Sequence, residues 1–390
     1  MRRSALAAMS AAVIASSACS SGSGQPRSSG PSHTPPPSSV SPSSNGLTAS
    51  VTVARLASGT PLPSDCTTGS PKRSDTATFV SGGHAWALSP NGSRLTCLFD
   101  VQDPGPFAWG PLGDRVLVGS FEVKGLPGAL TLPPTDLQSG PTSWGRPTGK
   151  SIVLVSGDST GLEKAHLDRK PVEDISPLRN ARYLAVTYHP SGLAIAFTVQ
   201  RGTGQSIWIS SNSGTKPMRL VFSNAGTKFG GLAFDADGVT LYYAALHASG
   251  TSVLHQLSLE NPTEAGALWS APLGQLILGI AAGPKAGALA WTAGKSCDNS
   301  VAVAQDAAGN KLTVPGGSRP TRAVGWLDAK RVLVATGGCS GPMDLSAVDV
   351  ASGTAVPLVF GIVAAGVRTP APTPPPSLPK TDADVGSGNA

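Results

Sequence analysis

Five residues, Gly157-Asp158-Ser159-Thr160-Gly161, have the spacing of a serine-hydrolase elbow. That chemistry needs a strand before the serine and a helix after it, so that the hydroxyl projects from a sharp turn. The run Ile152–Val155 supplies the strand. Residues 162–176, LEKAHLDRKPVEDIS, suit another pair of strands better than a helix. Ser159 therefore stands as a hydrolase candidate against a competing reading as part of a Gly/Ser turn. Ser213 and Lys216 have the Ser-x-x-Lys spacing of penicillin-binding enzymes, but that pair belongs on a helix, and here it falls in a hairpin turn. Asp235-Ala236-Asp237-Gly238 starts like a calcium loop. Its late acidic ligand is missing, since Leu246 and His247 stand there, and Asp and Gly also suit a plain turn. The six histidines, His33, His84, His166, His189, His247 and His255, show no zinc-site spacing. The expectation is no catalytic residue, no metal and no cofactor, with an enzyme built on Ser159 as the alternative.

Five cysteines divide into one and four. Cys19 ends the leader MRRSALAAMSAAVIASSAC, which has a basic start, a short apolar stretch and small residues before the cysteine. The stretch is too short to span a bilayer and fits an export signal. Its end resembles the bacterial lipoprotein cleavage site, with Ser16 where a Leu is usual, so Cys19 is the expected lipidation site. Residues 1–19 thus read as a signal peptide and 20–48, rich in Ser, Pro and Gly, as a tether that cannot bury a core. Residues 363–390 form a second Pro-rich segment. The expected location is the outer face of the cytoplasmic membrane, with secretion as the alternative. An exported chain meets oxidising conditions, so Cys66, Cys97, Cys297 and Cys339 are expected in disulfides.

The net charge is +6, but the basic residues are scattered in short groups such as Lys72-Arg73. A nucleic-acid binder concentrates its charge in a patch, so nucleic acid is not an expected partner.

Positioning any of these residues falls to a recurring unit. Its first half is an aromatic or apolar stretch, a turn with Pro or Gly, and a β-rich run. Six copies occur, at 107–120, 143–156, 186–199, 232–245, 279–292 and 323–336. A second hairpin comes next, as in SIWISSNSGTKPMRLVF (206–222) and DLSAVDVASGTAVPLVF (344–360), and HAWALSPNGSRLTCLF (84–99) aligns with these. Turns at Pro147, Pro190, Ala236, Pro284 and Asp328 recur every ~40–50 residues, the period of a four-stranded propeller blade. The fold expected for residues 49–362 is an all-β propeller of four-stranded blades, seven favoured and six the alternative. LTASVTVARL (47–56) is a further strand that could close the ring. Seven tryptophans at blade-related positions read as packing between blades.

The aromatic-x-Pro-x-Gly segments, seen at Trp109–Val116 and Tyr188–Ile195, resemble the repeats of TolB-like and WD-repeat-like propellers. The resemblance covers about residues 76–360, and the Ala/Gly/Pro-rich composition of a tethered propeller looks actinobacterial. That family implies envelope scaffolds, noncatalytic peptidase domains and lipoproteins. Within such a ring Cys297 and Cys339 follow the second strands of adjacent blades, in loops that share a face. This favours a Cys297–Cys339 bridge and leaves Cys66–Cys97 as the other. The function expected is a non-catalytic binding or scaffold module, held to the membrane through Cys19, with a protein, peptide or glycan on one loop face. An extracytoplasmic enzyme, or an accessory subunit of an envelope transport or sensing complex, is the alternative.

Overall fold

A computed structural model describes Leu62 and residues 66–368, except 70, 73–74, 102–106, 113–114, 119–121, 126–141, 147, 168–169, 224–225, 263–264 and 340. The leader, the tether and the strand expected at 47–56 lie outside the described residues.

The described chain is all β, in seven antiparallel sheets. Sheet 1 runs, from the inside outward, Ala364–Val367, Ala77–Ser81, His84–Leu88 and Leu95–Asp100. Sheet 2 has three strands, Phe107–Trp109, Arg115–Val118 and Glu122–Gly125. Sheet 3 comprises Thr142–Trp144, Ser151–Val155, Leu162–His166 and Glu173–Asp174. Sheets 4 to 7 each add four strands in chain order and start at Arg182, Lys228, Leu276 and Thr321. Six sheets are thus complete four-stranded blades.

Second strands read as nearly unbroken apolar runs, such as Ala194–Arg201 and Leu289–Ser296, because a neighbouring sheet covers each face. Fourth strands lie at the rim and keep water on one side, so Lys311–Val314 alternates between exposed and buried. Adjacent residues show the two-residue period directly. Tyr243 packs with Ile207 and Leu220 of sheet 4, while Tyr242 packs with Leu289 and Trp291 of sheet 6. The same kind of interface joins sheets 6 and 7 around Trp326, 7 and 1 around Phe79 and Leu333, and 1 and 2 around Trp109. It continues between sheets 2 and 3 around Trp144 and between 3 and 4 around Phe197. The sheets therefore close on themselves, each covering its neighbour's apolar face. This is a β-propeller.

Closure differs from the expectation. The innermost strand of sheet 1 comes from the C-terminal side, and the sheet runs to Val367 rather than ending at 362. Ala364–Val367 pairs antiparallel with Ala77–Val80. The bonds Val363 N–H to Val80 O (2.9 Å) and Arg368 N–H to Thr76 O (2.8 Å) flank the pairing. A glycine makes room for this strand. Gly325, with φ +152°, sits in the innermost strand of sheet 7, and a Cβ there would collide with Val367 Cγ2. Four small residues next to a Pro-rich segment carry little strand signal of their own. Their edge partner and the cleft beside Gly325 hold them in place.

Candidate functional site

Antiparallel strands put the turns between first and second strands of sheets 2 to 7 at one end. The loops between second and third strands, and the links between sheets, lie at the other end. The two ends differ in chemistry.

At the first end, polar side chains are used up in joining neighbouring turns. His189 is fully buried, with Nε2 2.6 Å from Gly238 O and Nδ1 2.7 Å from Ser191 Oγ. Burial lowers its pKa, so the neutral ring is favoured. Asp235, also buried, accepts from the N–H groups of Ala236 (2.7 Å) and Gly287 (2.8 Å) and from the Tyr242 hydroxyl (3.1 Å). Burial raises its pKa against these bonds. The Asp235–Gly238 segment is therefore a turn that ties sheets 4, 5 and 6 together. A polar cavity of about 210 Å³ lies here, lined by Arg146, Thr187, Tyr188 and Asp235 among others. Burial brings the Arg146 pKa down to about 10 and pushes that of Tyr188 up.

The elbow at Ser159 is not formed. The segment 156–161 is a turn between two strands of sheet 3, and Ser159 has a positive φ of 62°. Its backbone bonds Ser156 and Tyr183, while the Asp158 carboxylate is taken up by Ser156 Oγ and Thr160. Those bonds hold the Asp158 carboxyl down at about 2. His166, at the far end of the following strand, pairs with Glu173 at 3.2 Å. Ser213 and Lys216 likewise occupy a turn, where Ser213 Oγ meets Ser211 Oγ at 3.0 Å. His84 meets Asp100 at 2.8 Å, and His255 lies flat on Tyr243 with His247 at its edge. His33 lies outside the described residues.

Both disulfides are present: Cys66–Cys97 with Cα atoms 5.5 Å apart, and Cys297–Cys339 at 5.7 Å. Among the described residues, Cys66, His84 and Cys97 have metal-ligand spacing, within 4.8 Å of one another. Bonded to each other, the two sulfurs offer no thiolate.

The second end carries the larger and more apolar of the two cavities, while Leu112 and Leu193 are exposed at the first end. A cavity of about 720 Å³, within the range of ligand sites, opens among sheets 6, 7 and 1. Its walls include Leu278, Val324, Ala335, Met343, Val363 and the Cys297–Cys339 bridge, with Arg322 among them. Leu278 and Val363 are 42% and 47% exposed, and Leu273, in the link before sheet 6, is 79% exposed. Leu278 and Val363 put exposed apolar surface at this cavity, a feature that marks interaction sites, and Leu273 lies outside its lining. Five tryptophans (Trp86, Trp109, Trp144, Trp291 and Trp326) are buried, and Trp208 and Trp269 are half-buried, so the indoles pack between sheets as expected. No local motif announces this cavity, because its residues are spread between 278 and 365 over three neighbouring sheets.

No family model matches the chain, and no curated protein sequence matches it. Solved structures do. A prolyl endopeptidase matches at 12% identity with a TM-score of 0.54, over 76% of this chain and 50% of that one. This chain thus spans half the length of that enzyme. An oligogalacturonate lyase in complex with manganese matches at 13% identity, TM-score 0.50, over 68% and 82% of the two chains. TolB from Acinetobacter baumannii matches at 14% identity, TM-score 0.44, over 78% and 69%. At such identities the likeness concerns the fold. Sheet order and closure make the chain a β-propeller, and TolB is among the structures it resembles.

Proposed function

We propose that this chain is an exported, membrane-tethered β-propeller that binds a protein or peptide partner on the face bearing Cys297 and Cys339. The carrying observation is the 720 Å³ cavity on that face, with Leu278 and Val363 exposed at its mouth. Its mainly apolar walls favour a protein or peptide over a glycan, whose stacking partners would be the tryptophans already committed to sheet packing. Two disulfides support an oxidising compartment. Cys19, the reading of residues 1–19 as an export signal, and the tether at 20–48 support attachment at the outer face of the cytoplasmic membrane. We read the three-stranded sheet 2, which packs between sheets 1 and 3, as the seventh blade.

Crosslinking and pull-down from intact envelopes test this reading, with Cys19→Ala as the control. The wild-type chain is expected in the membrane fraction with a reproducible crosslinked protein. The Cys19→Ala chain is expected in the soluble fraction, with that product reduced at least about tenfold. Recovery of the wild type without any reproducible partner would remove the binding reading.

A further inference from the structure

Arg322 differs from other arginines of the chain. Arg94 bonds Asp75, Arg319 bonds Asp344, and Arg331 bonds Asp328 through two nitrogens. Arg322 instead turns its two terminal nitrogens to sulfur: Nη1 lies 3.1 Å from Cys297 Sγ, and Nη2 contacts Met343 Sδ. Sulfur is a weak acceptor. The third nitrogen, Nε, is buried with no hydrogen-bond partner. Asp298 acts on Arg322 only at longer range, because its carboxylate accepts the Cys339 N–H at 2.8 Å. Burial accordingly lowers the Arg322 pKa. A guanidinium carries five donors in a planar fork that fits a carboxylate. Leaving one in a mainly apolar wall, with two sulfurs as its hydrogen-bond partners and Asp298 only at longer range, costs stability unless an anion completes it.

The cavity also has backbone to offer. Gly279, Ala323, Val324, Ala364 and Ala365 line it and belong to the innermost strands of sheets 6, 7 and 1. Each of those strands pairs on one side only, so its other edge faces the axis. The Ala323 N–H already bonds Thr292 Oγ1 at 3.0 Å, and the remaining edge groups suit a ligand that has amides of its own.

Taking the cavity as the binding site, we propose that it holds the C-terminal end of an apolar peptide segment, with the terminal carboxylate on Arg322. The carboxylate supplies the missing acceptor, small aliphatic side chains meet Leu278, Val324, Met343 and Val363, and the peptide amides meet the strand edges.

The probe is an acetylated Ala-Val-Ala-Leu-Val-Ala hexapeptide, fluorescently labelled and titrated into the full chain. The free-acid peptide is expected to bind at least about tenfold tighter than its C-terminal amide. That preference should vanish in Arg322→Gln and survive in part in Arg322→Lys, with both variants keeping the wild-type circular dichroism. Equal binding of acid and amide would overturn the proposal. So would binding of dodecanoate without the peptide, which would make this a fatty-acid site, and so would failure of both probes. A partner still captured on this face in any of those cases would leave the binding-module reading standing and the carboxylate assignment refuted.

Discussion

Ending the chain after Ile362 is expected to cost about 5 kcal/mol, a large share of the net stability of an ordinary domain. Residues 363–368 close the ring. Without them the edge of Ala77–Val80 loses its partner strand and the flanking bonds to Val80 O and Thr76 O. Orphaned buried backbone groups cost about 1–3 kcal/mol each. Ala365 and Val367 also leave the cluster around Phe79 and Leu333, Ala364 leaves the one around Trp109, and the Arg368 guanidinium no longer sits 5.9 Å from the centre of the Trp109 ring. Thermal unfolding should start about 10 °C lower or lose its single transition. A chain ending after Arg368 keeps every one of these contacts and should melt like the full chain. Matching melting curves for the two truncations would show that the C-terminal strand does not close the ring.

Trp291→Ala is expected to destabilise the protein by about 3–5 kcal/mol. The side chain is fully buried between sheets 5 and 6, among Tyr242, Leu254, Leu289 and Val303, with the Trp269 ring 5.5 Å away and tilted by 56°. Rigid β-sheets on both sides cannot collapse into the space an indole vacates, so most of the cavity persists. Leu193→Ala is the matched control, since Leu193 is 58% exposed at a turn and its loss should stay within about 0.5 kcal/mol. Chemical denaturation measures both. A Trp291→Ala loss below about 1 kcal/mol would mean that the sheets do not pack face to face here.

The blades were legible in the sequence because each is made of local hairpins. The turn at Pro190 and the apolar run Ala194–Val199 declare themselves within a dozen residues, and Pro284 with Leu289–Ala293 does the same one pair of blades later. The Cys297–Cys339 bridge was legible for a related reason: equivalent loops of neighbouring blades share a face. What joins sequence-distant segments was not. The closing strand at 364–367 is four small residues whose strand character comes from Ala77–Val80 and from the space beside Gly325. The isolation of Arg322 depends on Met343 and Cys297 meeting it from other strands, and the run Thr321-Arg322-Ala323 gives no hint of that. Asp235 was read as a turn residue, and it is; His189, read only as a histidine without zinc-site spacing, stands at the neighbouring turn. Their bonds to Gly238 and Gly287 of the next blade's turn are a product of packing.

The functional account rests on one face of the ring being the docking face. A photo-crosslinking side chain at Leu278, at the mouth of the large cavity, and another at Leu193, at the opposite end of the sheets, separate the two faces in intact cells. A discrete adduct is expected from position 278 and none from position 193. Adducts from position 193 alone, or of equal yield from both, would contradict it.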